Sequence, residues 1–282
     1  MENLILNEFV NIMNINPSKI EEIRFKDGVY VGRVFVDKTT YIIKYFQKAE
    51  YRREIENYKV LQGLGIKTLK TFGFSECAIV MEDVLNSDKL RLATADDLKN
   101  PEIIKNIAVW YKSLHTKGSN VKLKNAYCES DMINKENIIR LSDILSEDKK
   151  FIVDIILNKL AIIDKYKNEL KYTLNYNDFS FDNLIIGDNC VFMYDYNLLG
   201  NGYVYADIRN VCSALNEDMK KVFKDAYNIE QDLSKEKLID SIVGCLFALI
   251  SASFKETFPK WAESSKEYLE SEKFIDKLNL LN

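Results

Sequence analysis

Apolar positions recur at helical spacing at the start of the chain and at alternate positions soon after. Residues 3–14 place Ile5, Phe9, Ile12 and Met13 on one helical face, and Pro17 closes the segment. Three strand patterns follow. Lys19–Phe25 ends at Lys26-Asp27-Gly28, whose Asp-Gly pair marks a hairpin. Val29–Val36 is rich in β-branched and aromatic residues, and Thr40–Phe46 is centred on YIIKYF. Tyr51–Leu61 returns to helical spacing, and Gly63 and Gly65 end it. Lys67–Gly73 and Cys77–Val84 read as two more strands. The polar segment Asn86–Arg91 has no apolar period and sets a lobe boundary near residue 85.

The second half of the chain is dominated by the helical period. Asn100-Pro101-Glu102 is a helix start, with Asn as cap and Pro at the first helical position. Ile103, Ile107, Trp110, Tyr111 and Leu114 form its buried stripe, and His115 lies at its end. Residues 130–171 read as helical on Phe151, Ile155, Ile156, Leu160 and Ile163. Further helices are expected over Ala206–Leu215, Asp218–Tyr227, Lys235–Phe254 and Trp261–Leu281. One hairpin interrupts this series: Asn183–Ile186 and Val191–Tyr194, joined at Gly187-Asp188-Asn189. Strands first and helices afterwards predict an α+β fold of two lobes, residues 1–84 and 85–282.

The hairpin carries chemistry that a strand core does not need. Asp178 precedes it, Asn183 opens it and Asp195 ends it, so its open end gathers three oxygen-bearing side chains. Such a set suits a hard cation like Mg²⁺, which commonly also binds substrate phosphates. Lys44 sits inside the third strand on the face of Ile42 and Phe46. It is either an edge lysine reaching water or the partner of a buried acid. Glu54, Tyr58 and Leu61 share a helix face, so Glu54 leans toward the core and needs a cation. Lys44 is the candidate.

Composition narrows the classes. The 282 residues are 47% apolar and 29% charged, enough to bury a core of one large domain or two lobes. Net charge is −4 with both signs scattered, so there is no basic stripe for nucleic acid. Five widely spaced cysteines without a C-x-x-C pair point to reduced thiols rather than a disulfide framework or zinc site. With a single histidine, no Ser-His-Asp triad can be built away from residue 115, and His115 is expected to make a structural hydrogen bond. The first residues, MENLILNEFVNIMN, are acidic where a signal peptide is basic. The longest apolar stretch, Ile242–Ala252, is too short for a bilayer span. A cytoplasmic protein with no membrane partner is expected.

These residues resemble the protein-kinase-like superfamily, specifically its aminoglycoside phosphotransferase and choline kinase branch, from about residue 19 to 260. Tyr176-Asn177-Asp178, four residues, then Asn183 has the spacing of the kinase catalytic loop, with Tyr where the branch carries His. Asp195-Tyr196 matches the metal-binding Asp and its aromatic neighbour. Gly202 and Asp207-Ile208, SLHTKG and VFKDAY match further patterns of the branch. The turn Lys26–Gly32 carries only two glycines and no G-x-G-x-x-G. The resemblance implies that Asp178 is the catalytic base and that Asn183 and Asp195 hold Mg²⁺. It implies that Lys44, positioned by Glu54, contacts the phosphates of ATP or GTP, and that Met81, Glu82, Asp83 and Val84 form the hinge that meets the base. Asp207 is expected to buttress the catalytic loop.

The implied function is a small-molecule kinase acting on a substrate hydroxyl, with an aminoglycoside as the leading acceptor. Choline, an amino alcohol or a sugar is the alternative, as is a kinase-fold binding or coat protein without turnover. Basic and acidic residues balance through residue 84, so the net negative charge lies in the larger lobe. Glu217, Asp218, Glu230, Asp232, Glu263 and Glu267 are the acids available there for a polycation. Tyr203, Tyr205, Tyr227, Tyr268, Trp110 and Trp261 are the aromatics available for a choline cage.

Overall fold

The computed structural model describes residues 1–124, 126–228 and 232–281. Helix α1 (Glu2–Met13) leads into strands β1 (Lys19–Lys26), β2 (Val29–Val36) and β3 (Thr39–Phe46). Helix α2 (Arg53–Gly63) and strands β4 (Thr71–Phe74) and β5 (Ala78–Glu82) follow. The strands form one antiparallel sheet in the order β1-β2-β3-β5-β4. Asp27 and Gly28 both have positive φ, 54° and 86°, as a two-residue hairpin with the twist of its strands requires.

The alternation along β2 sorts its side chains. Tyr30 and Val34 are buried on one face, where Ile5 and Phe9 of α1 pack against them and Ile43. Each fully buried apolar side chain of this kind contributes about 2 kcal/mol. Val29, Val31 and Arg33 point to the other face, which roofs a cavity.

The larger lobe is mainly helical. Strand β6 (Leu90–Leu92) precedes α3 (Pro101–Gly118), α4 (Lys135–Arg140) and α5 (Phe151–Asn168). Strand β7 (Tyr172–Asn175) follows, then the hairpin of β8 (Leu184–Gly187) and β9 (Cys190–Met193), then β10 (Gly200–Tyr203). Helices α6 (Val204–Ser213), α7 (Glu217–Tyr227), α8 (Ser234–Ser253), α9 (Glu263–Leu269) and α10 (Glu272–Asn279) complete the chain. The Asn100 side chain caps α3 through the Glu102 N–H at 2.9 Å. The expected α+β architecture, an antiparallel-sheet lobe joined to a helical one, is the architecture found. Among the described residues no helix is long and apolar enough to cross a membrane. Ile242–Ala252 lies within α8, where Ile242, Leu246 and Leu249 are fully buried.

Several segments differ from the sequence expectation. Residues 130–171 do not form one helix. Asn134 caps α4 by accepting from the Asn137 N–H at 3.0 Å, and 3-10 turns separate α4 from α5. The expected helix over Trp261–Leu281 breaks at Ser271 into α9 and α10. The expected strand over Lys67–Gly73 is reduced to β4. β6 pairs with β8 in a stretch read as polar linker, and β7 pairs with β10. Four-residue strands rest on long-range pairing, which a local period does not reveal. Gly200 in β10 has a specific reason: a Cβ there would lie 1.8 Å from the Tyr127 carbonyl oxygen. The chain around Tyr127 therefore crosses directly over this strand, and the Asn201 N–H donates to the same carbonyl at 3.2 Å.

Candidate active site

Lys44 reaches the space between the lobes because β3 pairs with β2 and β5 in a fixed register. Val31, Lys44 and Ile79 stand opposite one another and share the cavity face. Its ammonium lies 2.7 Å from Glu54 Oε2 and 3.0 Å from Asp195 Oδ1. The alternative of an edge lysine turned to water is therefore ruled out. Glu54, 1% exposed, is carried by the face of α2 that also buries Ile55, Tyr58 and Leu61. Burial pushes its carboxyl up to about 7; Lys44 pulls it back down and Asp195 adds a further upward push. For Lys44, burial favours the neutral amine, but the two carboxylates outweigh it and the ammonium is held above its ordinary pKa.

The floor of the cavity is formed by the end of the 176–183 loop and the β8–β9 hairpin. Asp195 follows β9 with φ 61°, a left-handed conformation that turns its carboxylate toward Lys44. Its neighbour Tyr196 is tied to α2: the Asn57 amide donates to the Tyr196 carbonyl at 2.7 Å, and the Tyr58 and Tyr196 rings meet edge to face at 4.7 Å. Asn177 is also left-handed, with φ 65°, and its amide donates to the carbonyls of Asn175 and Leu198. Asn tolerates this region better than other side chains.

A buried carboxylate holds the loop from beneath. Asp207, fully buried at the start of α6, accepts the N–H of Tyr176 at 2.9 Å and of Asn177 at 3.0 Å. His115 Nε2 lies 3.0 Å from the same carboxylate, and its Nδ1 lies 2.8 Å from the Tyr227 hydroxyl. The expectations of a structural His115 and a buttressing Asp207 agree with this geometry. Tyr176, in the position where the branch carries His, is fully buried. Its hydroxyl donates to the Tyr194 carbonyl and its ring packs edge to face on Trp110 and Tyr196. The tyrosine thus ties the 176–183 loop to the end of β9.

Asp178 and Asn183 are joined side chain to side chain. The Asn183 amide donates to Asp178 Oδ2 at 3.0 Å and to its carbonyl at 3.1 Å. Burial raises the Asp178 carboxyl above the usual carboxylate range, and Asp195 raises it further; Asn183 and Lys44 pull it partly back. With its N–H₂ occupied, the Asn183 Oδ1 and the Asp195 carboxylate are hard oxygen donors on the cavity wall. Two such donors fit Mg²⁺, which keeps few protein ligands and takes the rest from phosphates and water. Among the described residues no group of three His, Cys, Asp or Glu could hold a metal by itself.

The cavity between roof and floor measures about 540 Å³. Lys44, Glu54, Asn183, Asp195 and the residues at the end of β5, Met81, Glu82, Asp83 and Val84, all line it. Just after β5 the Asp83 side chain is fully engaged. It accepts from Arg33 Nε at 2.5 Å, Thr40 at 2.7 Å and Asn86 at 2.9 Å, and these partners hold it below the usual carboxylate range against its burial. Beside it, Met81, Val84 and the Glu82 side chain line the cavity.

Sequence reasoning overlooked the cationic contributions of Arg24, Arg33 and Arg53. Arg53 donates to Asn197 Oδ1 at 3.3 Å and lies over the Tyr127 ring. The alternation Arg24-Phe25-Lys26 was the available signal for a basic strand face. The proposed acceptor residues fare differently. Glu217, Asp218, Asp232, Glu263 and Glu267 are exposed, Glu217 beside Lys220 and Asp232 capping Ser234; Glu230 lies outside the described residues. Trp110 and Tyr227 are core residues around His115, Tyr203 binds Asp240, and Trp261 is exposed. None of these acids or aromatics lines the cavity.

No protein-family model matches the sequence, and no curated protein does. Solved structures do match in fold. The choline kinase LicA from Streptococcus pneumoniae superposes with a TM-score of 0.62 at 14% identity, covering 99% of each chain. The macrolide 2'-phosphotransferase MphH from Brachybacterium faecium gives 0.60 at 9% identity, covering 95% of this chain and 97% of that one. A spectinomycin phosphotransferase, solved with ADP and spectinomycin, gives 0.52 at 11% identity over 98% and 97% of the two chains. The fold is thus the protein-kinase-like fold. It is shared over nearly the full chain with choline kinases and with antibiotic phosphotransferases.

Proposed function

We propose that this chain is a small-molecule kinase that transfers the γ-phosphoryl group of ATP or GTP to a substrate hydroxyl. One observation carries the reading. Lys44 and Glu54 from one lobe meet Asp195 from the other on a cavity that Asn183 also lines, with Asp178 hydrogen-bonded behind Asn183. A fold retained only for binding has no use for that whole constellation. Residues 1–84 would be the nucleotide lobe and 85–282 the catalytic and acceptor lobe.

Phosphoryl transfer needs positioning and charge stabilisation more than covalent chemistry. Asn183 fixes Asp178 through Oδ2, leaving Oδ1 to accept the proton of the acceptor hydroxyl. Burial and the nearby Asp195 make that carboxylate a better base than a solvated one. Lys44 would meet the α- and β-phosphates, and the backbone of Met81–Val84 the purine. A Mg²⁺ ion held by Asn183 and Asp195 would neutralise phosphate charge. Solved neighbours bound to AMP and to ADP support the nucleotide reading.

An aminoglycoside is the leading acceptor by resemblance, with choline, an amino alcohol or a sugar as the competing class. The test is a coupled ATP- or GTP-consumption screen over these acceptors with wild type and Asp178→Ala. Transfer by wild type to one acceptor, falling about 10³-fold in Asp178→Ala with nucleotide affinity retained, is the expected outcome. Nucleotide binding without turnover on any acceptor would favour a binding protein instead. Full turnover by Asp178→Ala would refute the base.

A further inference from the structure

The roof over the phosphates is built differently from a glycine-rich loop. β1 and β2 stay paired up to Lys26 and Val29, and a two-residue turn closes them. The backbone N–H groups near the turn are committed to the sheet or too few to cradle an anion. Side chains must supply the donors.

The register of β1 shows which side chains do so. Glu22 stands opposite Gly32, but Arg24 stands opposite Val31, because Ile23 is an extra residue in a bulge. Without the bulge Arg24 would pair with Tyr30 and face α1, since side chains alternate strictly along a strand. One inserted residue turns Arg24 and Lys26 onto the cavity face. Arg24, Val31 and Lys44 then form one row across three strands. Neighbouring strands are about 4.8 Å apart, so the Arg24 and Lys44 backbones are about 10 Å apart in that row.

Arg24 is exposed and lines the cavity, yet it makes no hydrogen bond or ion pair among the described residues. Of the other roof cations, Lys44 is held by Glu54 and Asp195 and Arg33 by Asp83, while Lys26 lies at the turn, 4.0 Å from Asp27.

We infer that Arg24 is a polyphosphate-binding residue, re-aimed by the β1 bulge to hold the nucleotide's outer phosphates in place of a glycine-rich loop. The inference rests on the nucleotide reading above. A guanidinium is suited to the task because it donates two parallel hydrogen bonds to phosphate oxygens.

The experiment is calorimetric titration of full-length wild type, Arg24→Gln and Glu22→Gln with ATP, ADP and AMP in the presence of Mg²⁺. Arg24→Gln should weaken ATP by about tenfold, the scale of one charge-assisted contact, while AMP affinity holds. Glu22→Gln, before the bulge, should bind all three as wild type does. Equal loss of ATP and AMP, or no loss of ATP, would overturn the role of Arg24 while nucleotide binding stands. Absence of ATP binding by wild type itself would overturn the nucleotide reading, and this inference with it.

Discussion

The roof and the floor of the cavity are built by different means. The roof places cations by strand register: Arg24, Lys44 and Arg33 project from β1, β3 and β2 onto one sheet face. The floor places carboxylates and an amide on irregular backbone, with Asn177 and Asp195 left-handed. That backbone is held by buried polar contacts from distant helices, Asp207 and His115 beneath and Asn57 from the side. A roof position is set by register with the neighbouring strand, and an exposed one such as Arg24 can be changed singly. A floor position depends on partners far away in sequence.

The largest expected effect is therefore a floor substitution remote from the cavity. Asp207→Asn leaves two loop N–H groups and His115 facing an amide in a fully buried site. It should cost about 3 kcal/mol of stability, read by denaturant unfolding. Arg24→Gln in the exposed roof should stay within about 0.5 kcal/mol of wild type in the same assay. Similar losses in both variants would erase the distinction between the two surfaces.

A smaller effect tests the junction where roof and floor meet. Glu54 is held up to about 7 from 4.5 by burial, so the folded protein keeps a proton the unfolded chain releases earlier. Stability from this group is fully present below about 4.5 and is lost as pH rises through about 7. Glu54→Gln does not titrate. The melting temperature of wild type should accordingly fall relative to Glu54→Gln between pH 5 and pH 8, by about 3 °C. A difference that is constant across that range would show that Glu54 titrates normally.

What could be read from the sequence follows the same division. Alternation in β1 to β3 and the helical stripe of α2 are local patterns, so the Lys44–Glu54 pairing was accessible from spacing alone. Asp178, Asn183 and Asp195 were legible because their order and intervals follow one hairpin. The bulge at Ile23 was not, because register depends on the partner strand. β7 and β10 were missed for a related reason: four-residue strands with Asn and Gly carry no apolar period and exist through their pairing. The broken helices in 130–171 and 261–281 show turn chemistry at Asn134 and Ser271 overriding an apolar stripe. The acidic and aromatic residues named for the acceptor were chosen by composition, which does not tell a cleft wall from a solvated helix face.

The most direct measurement of the central claim is ATP titration of wild type and Asp195→Asn, with Mg²⁺ and with excess chelator. The expected result is tight binding by wild type with Mg²⁺, weakened at least about tenfold by chelation or by Asp195→Asn. ATP binding equally tight in all conditions, or no ATP binding by wild type, would contradict a magnesium-nucleotide site between these lobes.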